Sequence, residues 1–113
     1  MIRGIGTDLA QISRIAKAMQ NPRFIERVLT AHERSAAPDP MSANWLAKRW
    51  AAKEAASKAL GTGISADAGF HDFVVGKTQA GAPTLQVAKH PGSWHLSLSD
   101  DGDYAQAFVV WSD

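Results

Sequence analysis

Glu54 and Lys58 are the residues around which chemistry could be assembled in this chain. In a helix, offsets of four, seven and eleven recur on one face, so Ala47, Ala51, Glu54 and Lys58 share a stripe. A carboxylate and an amine then stand on a floor of methyl groups, where another backbone or a ligand can come close. Glu54 four residues before Lys58 is also the favourable order for an ion pair, so an ordinary surface salt bridge explains the same spacing. Asp8, at the end of a short apolar segment, is the carboxylate to weigh with Glu54. Two hard carboxylates with a lysine beside one of them suit Mg²⁺, which takes a few protein oxygens and completes its octahedron with waters and substrate phosphates. The alternative is that Asp8 caps the following helix while Glu54 pairs only with Lys58.

Arg49 and Lys53 form a second feature, four apart, alike in charge and about 100° around the helix from Glu54. Such a pair costs roughly a few tenths of a kcal/mol, which an anionic ligand would offset, although a solvated basic face including Lys48 accounts for it too. Other chemistries fit poorly. His32, His71, His90 and His95 lack metal-ligand spacing. Ser97 and Ser99 have no adjacent histidine and acid in an order that suggests a catalytic triad. Gly4-x-Gly6 lacks the third small residue of a dinucleotide fingerprint, since Leu9 stands there, and no P-loop spacing occurs. The two glycines are better explained by close packing of a strand on the long helix.

The composition sets the bounds. At 113 residues, 45% hydrophobic and 20% charged, the chain is expected to form a single domain over residues 1–113, too small for two cores. A net charge of +1 offers no general attraction to nucleic acid or an anionic membrane, so neither is expected as a partner. No cysteine is present, which rules out disulfides, thiolate metal sites and cysteine nucleophiles and fits a reducing, cytoplasmic setting. Met1–Asp8 turns polar too soon for a signal peptide, and no apolar run approaches the roughly 20 residues of a membrane span.

The pattern of elements is strand, helices, then strands. Ile2, Ile5 and Leu9 predict a short strand ending near Asp8; Ile12, Ile15, Ala16 and Met19 predict a helix over 11–20, interrupted at Asn21-Pro22. A further short helix covers 23–29, and Thr30-x-x-Glu33 has the spacing of a capping box. Ser42 is the expected N-cap of a helix that runs to Leu60 and stops at Gly61. Residues 70–77 with 84–87, and 94–99 with 104–111, predict two hairpins. The fold class is α+β, a long central helix packed on a mostly antiparallel sheet.

Three stretches together resemble the holo-acyl-carrier-protein synthase family of small bacterial 4′-phosphopantetheinyl transferases. They are Gly4-Ile-Gly6-Thr-Asp8-Leu with Ile12 and Arg14, the run from Arg23-Phe24 to Glu33, and above all Arg49-Trp50-Ala51-Ala52-Lys53-Glu54-Ala55 with Lys58 and Gly61-Thr62-Gly63. The tail His95-Leu96-Ser97-Leu98-Ser99 with Tyr104-Ala105 is similar to the family's last motif. The resemblance implies transfer of 4′-phosphopantetheine from coenzyme A to a serine of an apo acyl carrier protein, releasing adenosine 3′,5′-bisphosphate. It implies Mg²⁺ on Asp8 and Glu54, with Glu54 as candidate base and Lys58 offsetting phosphate charge. Arg49, Lys53, Lys58, Gly61 and Gly63 would contact coenzyme A, and Arg14, Lys17 and Arg23 would dock the acidic carrier. It further implies a homotrimer with sites at subunit interfaces.

Three departures from the family pattern stand out. Gln11 occupies a place usually held by Glu, and Asp100 one often held by His. Residues 88–93 are too few for the helix that usually separates the last two hairpin regions. A non-catalytic module binding coenzyme A or the carrier is the alternative these departures favour; a purely structural domain is the third.

Overall fold

A computed structural model describes residues 1–113. The order is β1 (Ile2–Gln11), α1 (Ile12–Ala18), α2 (Pro22–Val28), α3 (Ala31–Ser35), α4 (Ala43–Leu60), a 3₁₀ turn (Phe70–Asp72), β2 (Phe73–Lys77), β3 (Pro83–Val87), β4 (Ser93–Asp101) and β5 (Tyr104–Ser112). The strands form two antiparallel sheets, β1-β5-β4 and β2-β3. The predicted α+β class and both hairpins are present.

The helix ends follow from local chemistry. Ser42 Oγ accepts from Trp45 N at 3.0 Å, opening α4. At its far end Gly61 takes φ 83°, and the Thr62 and Gly63 amides turn back to Ser57 O at 3.2 Å each. The capping box also forms: Thr30 Oγ1 accepts from Glu33 N at 3.1 Å, and Glu33 Oε1 accepts from Thr30 N at 2.9 Å.

One boundary differs from the sequence reading. β1 does not end near Asp8 but continues to Gln11, because β5 supplies partners as far as the Gln11–Tyr104 pair. Asp8 therefore sits inside a strand, and it does not cap α1. Asp103, in the β4–β5 turn, does so: its carboxylate accepts from Ser13 N at 3.0 Å and Ser13 Oγ at 2.6 Å.

Strand alternation sends Gly4, Gly6, Asp8 and Ala10 of β1 to the face that covers α4, beside Ala105, Ala107, Val109 and Trp111 of β5. They meet Ala51, Ala52, Ala55, Ala56 and Ala59, all buried. A Cβ on Gly4 would lie 2.0 Å from Ala59 O, and one on Gly6 1.9 Å from Ala55 O. The glycines thus bring β1 onto the backbone of α4, as their positions led us to expect. That contact is what puts Asp8 within reach of α4.

Candidate active site

Asp8 on β1 faces the α4 stripe that carries Glu54 and Lys58. Lys58 does not pair with Glu54 one turn earlier; its Nζ reaches across to Asp8 Oδ1 at 3.2 Å and donates to Thr7 O at 3.0 Å. The partners are unequal: the Asp8 side chain is 12% exposed, that of Lys58 53%. The second Asp8 oxygen, Oδ2, is buried with no hydrogen-bond partner. Leaving a buried acceptor unsatisfied costs about 1–3 kcal/mol, and more when it is charged.

The electrostatics agree. Burial pushes the Asp8 carboxyl above its ordinary value against the hydrogen bond and charge of Lys58. Glu54 is also raised, by burial first and the charge of Asp8 second, with Lys58 opposing. The Asp8 charge thus resists ionisation of Glu54, burial resists that of both acids, and one ammonium does not fully answer them. The residues fit a divalent cation: an orphaned carboxylate oxygen, hard oxygen donors and a repulsion that positive charge would relieve. No group of three or more His, Asp or Glu side chains gathers anywhere in the fold. A cation here would take most of its ligands from water and substrate.

The other predicted residues divide. Arg49 lays its guanidinium over the Trp45 ring, 4.3 Å from the centroid, on the wall of a cavity of about 640 Å³ that His32, Lys77 and Gln86 also line. It makes no ion pair, and burial draws its pKa down against the charge of Glu33. Gly61 and Gly63 follow Lys58 at the end of α4 with φ of 83° and 64°, and a Cβ on either would meet open space. Their conformation, not crowding, calls for glycine. Arg14, Lys17 and Arg23 are exposed on α1 and α2. Beside Arg14 lies a smaller hollow of about 240 Å³ whose floor includes Leu9, Ile15, Phe24 and Trp50, with Gln11 on its wall.

Lys53 departs from expectation and is corrected. It is 0% exposed, and its Nζ donates to Glu33 Oε1 and Val28 O at 2.6 Å each and to Phe70 O at 3.1 Å. An ammonium sealed among three oxygens has no donor left for a coenzyme phosphate. Helical projection had placed it on a basic outer face, but α3 and the 3₁₀ turn cover that face. Burial lowers the Lys53 pKa, with Glu33 opposing.

Two of the sequence departures also resolve. Asp100, at the exposed end of β4, accepts from Asn44 Nδ2 at 3.0 Å and Lys48 Nζ at 3.2 Å, which hold its carboxyl below the ordinary range. No helix lies between β3 and β4. The short connection is held by two stacked indoles, Trp94 and Trp111, 4.9 Å apart, which donate to His90 O and Pro91 O at 3.0 and 3.1 Å.

Two part-buried carboxylates and an ammonium are brought together here from a strand and a helix of an α+β domain, a donor set with which a divalent cation would be compatible. Comparison with known proteins narrows the class. Residues 4–109 match the 4′-phosphopantetheinyl transferase superfamily. The chain is 48% identical to a holo-[acyl-carrier-protein] synthase of Marinomonas sp. (strain MWYL1) over 97% of each chain. Among solved structures it is similar to the holo-(acyl-carrier-protein) synthase of Bacillus anthracis, determined in complex with CoA (3′,5′-ADP), with TM-score 0.91, 39% identity and coverage of 100% and 99%. The Helicobacter pylori enzyme in complex with coenzyme A gives TM-score 0.88 at 33% identity, covering 96% and 99%. The chain belongs to the 4′-phosphopantetheinyl transferase superfamily.

Proposed function

We propose that this chain transfers the 4′-phosphopantetheine arm of coenzyme A to a serine hydroxyl of an apo acyl carrier protein, with Mg²⁺ held by Asp8 and Glu54. The observation that carries the reading is the unsatisfied, buried Asp8 Oδ2 beside a second raised carboxylate, in a chain whose relatives bind coenzyme A and modify carriers. Mg²⁺ bound there would neutralise charge on the pyrophosphate oxygens. Lys58, half exposed and paired only at 3.2 Å, is free to turn part of its donor capacity to the same oxygens. The serine Oγ forms a bond to the phosphorus next to the pantetheine, the P–O bond to adenosine 3′,5′-bisphosphate breaks, and Glu54 takes the serine proton. Such transfer needs alignment and charge stabilisation rather than covalent help.

The remaining residues suit the two substrates. Arg49 offers an unpaired guanidinium to an anionic group of coenzyme A, and Gly61 and Gly63 let the backbone after Lys58 approach it. Arg14 at the apolar hollow, with Lys17 and Arg23 exposed on the same two helices, supplies charge that suits an acidic helix bearing an apolar side chain. The sheet face turned away from α4 exposes Ile5 (60%), Leu9 (62%) and Phe108 (46%), an apolar surface that suits the subunit contact of a homotrimer. A cysteine-free chain suits the reducing cytoplasm.

The test is the intact mass of a purified apo acyl carrier protein after incubation with this protein, coenzyme A and Mg²⁺. A gain of one phosphopantetheine group, absent when a chelator is added, is expected. No gain across several carriers, from a folded chain that still binds coenzyme A, would favour the non-catalytic binding module.

A further inference from the structure

The Lys53 ammonium gathers oxygens from three elements: Val28 at the end of α2, Glu33 in α3 and Phe70 in the 3₁₀ turn. Glu33 extends the tie, since its Oε1 also accepts from Thr30 N and its Oε2 accepts from Val75 N of β2 at 2.7 Å. One buried ion pair therefore joins four elements to α4. Such pairs contribute little net stability, because desolvation offsets the attraction. What this one supplies is a fixed geometry.

The need for it lies in how the helices pack. α1 rests directly on α4, whereas α2 makes its broad contact with the 3₁₀ turn and α3 with β2. His71, in that turn, adds a 2.8 Å contact to Glu26 O of α2. The basic face is thus divided: Arg14 and Lys17 stand on a helix seated on α4, and Arg23 on a helix whose hydrogen-bonded tie to α4 runs through Lys53, beside the packing of Val28 in the core and of Phe24 against it. Lys53 immediately precedes Glu54, so the turn of α4 that carries the reacting carboxylate also carries the anchor.

We propose that Lys53 is a positioning residue for the acyl carrier protein, fixing α2 and α3 against α4 through Glu33 so that Arg23 stays in register with Arg14, Lys17 and Glu54. The inference rests on the carrier-docking reading above. It assigns a role in recognition to a lysine that touches neither substrate.

The variant to make is Lys53→Met with Glu33→Gln, which removes both charges and leaves no uncompensated one inside. With the fold retained, the KM for the apo carrier should rise at least about tenfold, while kcat at saturating carrier and the Kd for coenzyme A stay within about threefold. Hydrogen exchange at the α2 and α3 amides should quicken while that of α4 does not. Lys53→Arg, which keeps the charge and the hydrogen-bond donors, should keep most of the wild-type carrier KM; Glu33→Gln alone, expected to raise the carrier KM in the same direction, is read in place of the double change if that does not fold. A folded double variant with wild-type carrier KM, or a folded Glu33→Gln with it where the double change does not fold, overturns the assignment. So does a fall in kcat with KM unmoved, which would put Lys53 at the chemistry. A wild-type chain that transfers nothing defeats the function reading and this role with it; wild-type transfer beside an unmoved KM defeats the role of Lys53 alone.

Discussion

Asp8 is held in a state it would not choose by itself: its ionised form is penalised by burial and one oxygen lacks a partner. Neutralising the side chain removes the desolvation of its charge and its repulsion of Glu54, and losing the half-exposed ion pair with Lys58 gives back at most about 1 kcal/mol. Asp8→Asn is therefore expected to stabilise the metal-free protein by about 1 kcal/mol in urea unfolding at neutral pH while abolishing metal-dependent binding of coenzyme A; a destabilised variant would contradict this. The pH dependence has a definite sign. The folded pKa values of Asp8 and Glu54 lie above their ordinary 3.8 and 4.5, so in the window just above those values the unfolded chain binds fewer protons and metal-free stability falls as pH rises. Activity should move the opposite way, falling on the acid side as protons compete with Mg²⁺ for Asp8 and Glu54, a limb that raising Mg²⁺ shifts to lower pH. At this scale the sequence was only partly legible. Glu54 and Lys58 were identifiable from helical phase, but that phase pairs them with each other; the partner Lys58 takes, Asp8, is 50 residues away and comes near only through the Gly4 and Gly6 contact.

Elements whose limits are set by local chemistry were readable: Ser42 and Gly61 bound α4, and Thr30 with Glu33 starts α3. Elements whose limits are set by a distant partner were not. β1 runs past Asp8 because β5 is there to pair with it, and α1 takes its cap from Asp103, 90 residues on. Lys53 shows the same limit, because a lysine four residues after Arg49 looks like a surface cation until the elements that cover it are known. The glycines of β1 give the sharpest element-scale test. Gly6→Ala would place a methyl 1.9 Å from Ala55 O, forcing β1 off α4. We expect a loss of about 3 kcal/mol in denaturant unfolding and a fall in activity out of proportion to the folded fraction, since Asp8 moves with the strand.

For the whole molecule, the two faces of the β1-β5-β4 sheet have separate roles. The inner face seats α4 and presents Asp8; the outer face leaves Ile5, Leu9 and Phe108 in solvent. Phe108→Glu puts a charge at the middle of that face without touching the core. Light scattering after size exclusion should then show a monomer in place of the trimer proposed for the wild type, with activity lost alongside; an unchanged mass would remove the sheet face as the subunit contact. The reaction proposed above would take place where Asp8 and Glu54 come together, with a divalent cation held by both. The most direct measurement is the rate of phosphopantetheine transfer by wild type and Glu54→Gln across a Mg²⁺ titration. Transfer that rises with Mg²⁺ in the wild type and stays at least about a hundredfold lower in the variant at every concentration is the expected result. Transfer that ignores the metal, or a variant close to wild type, would contradict it.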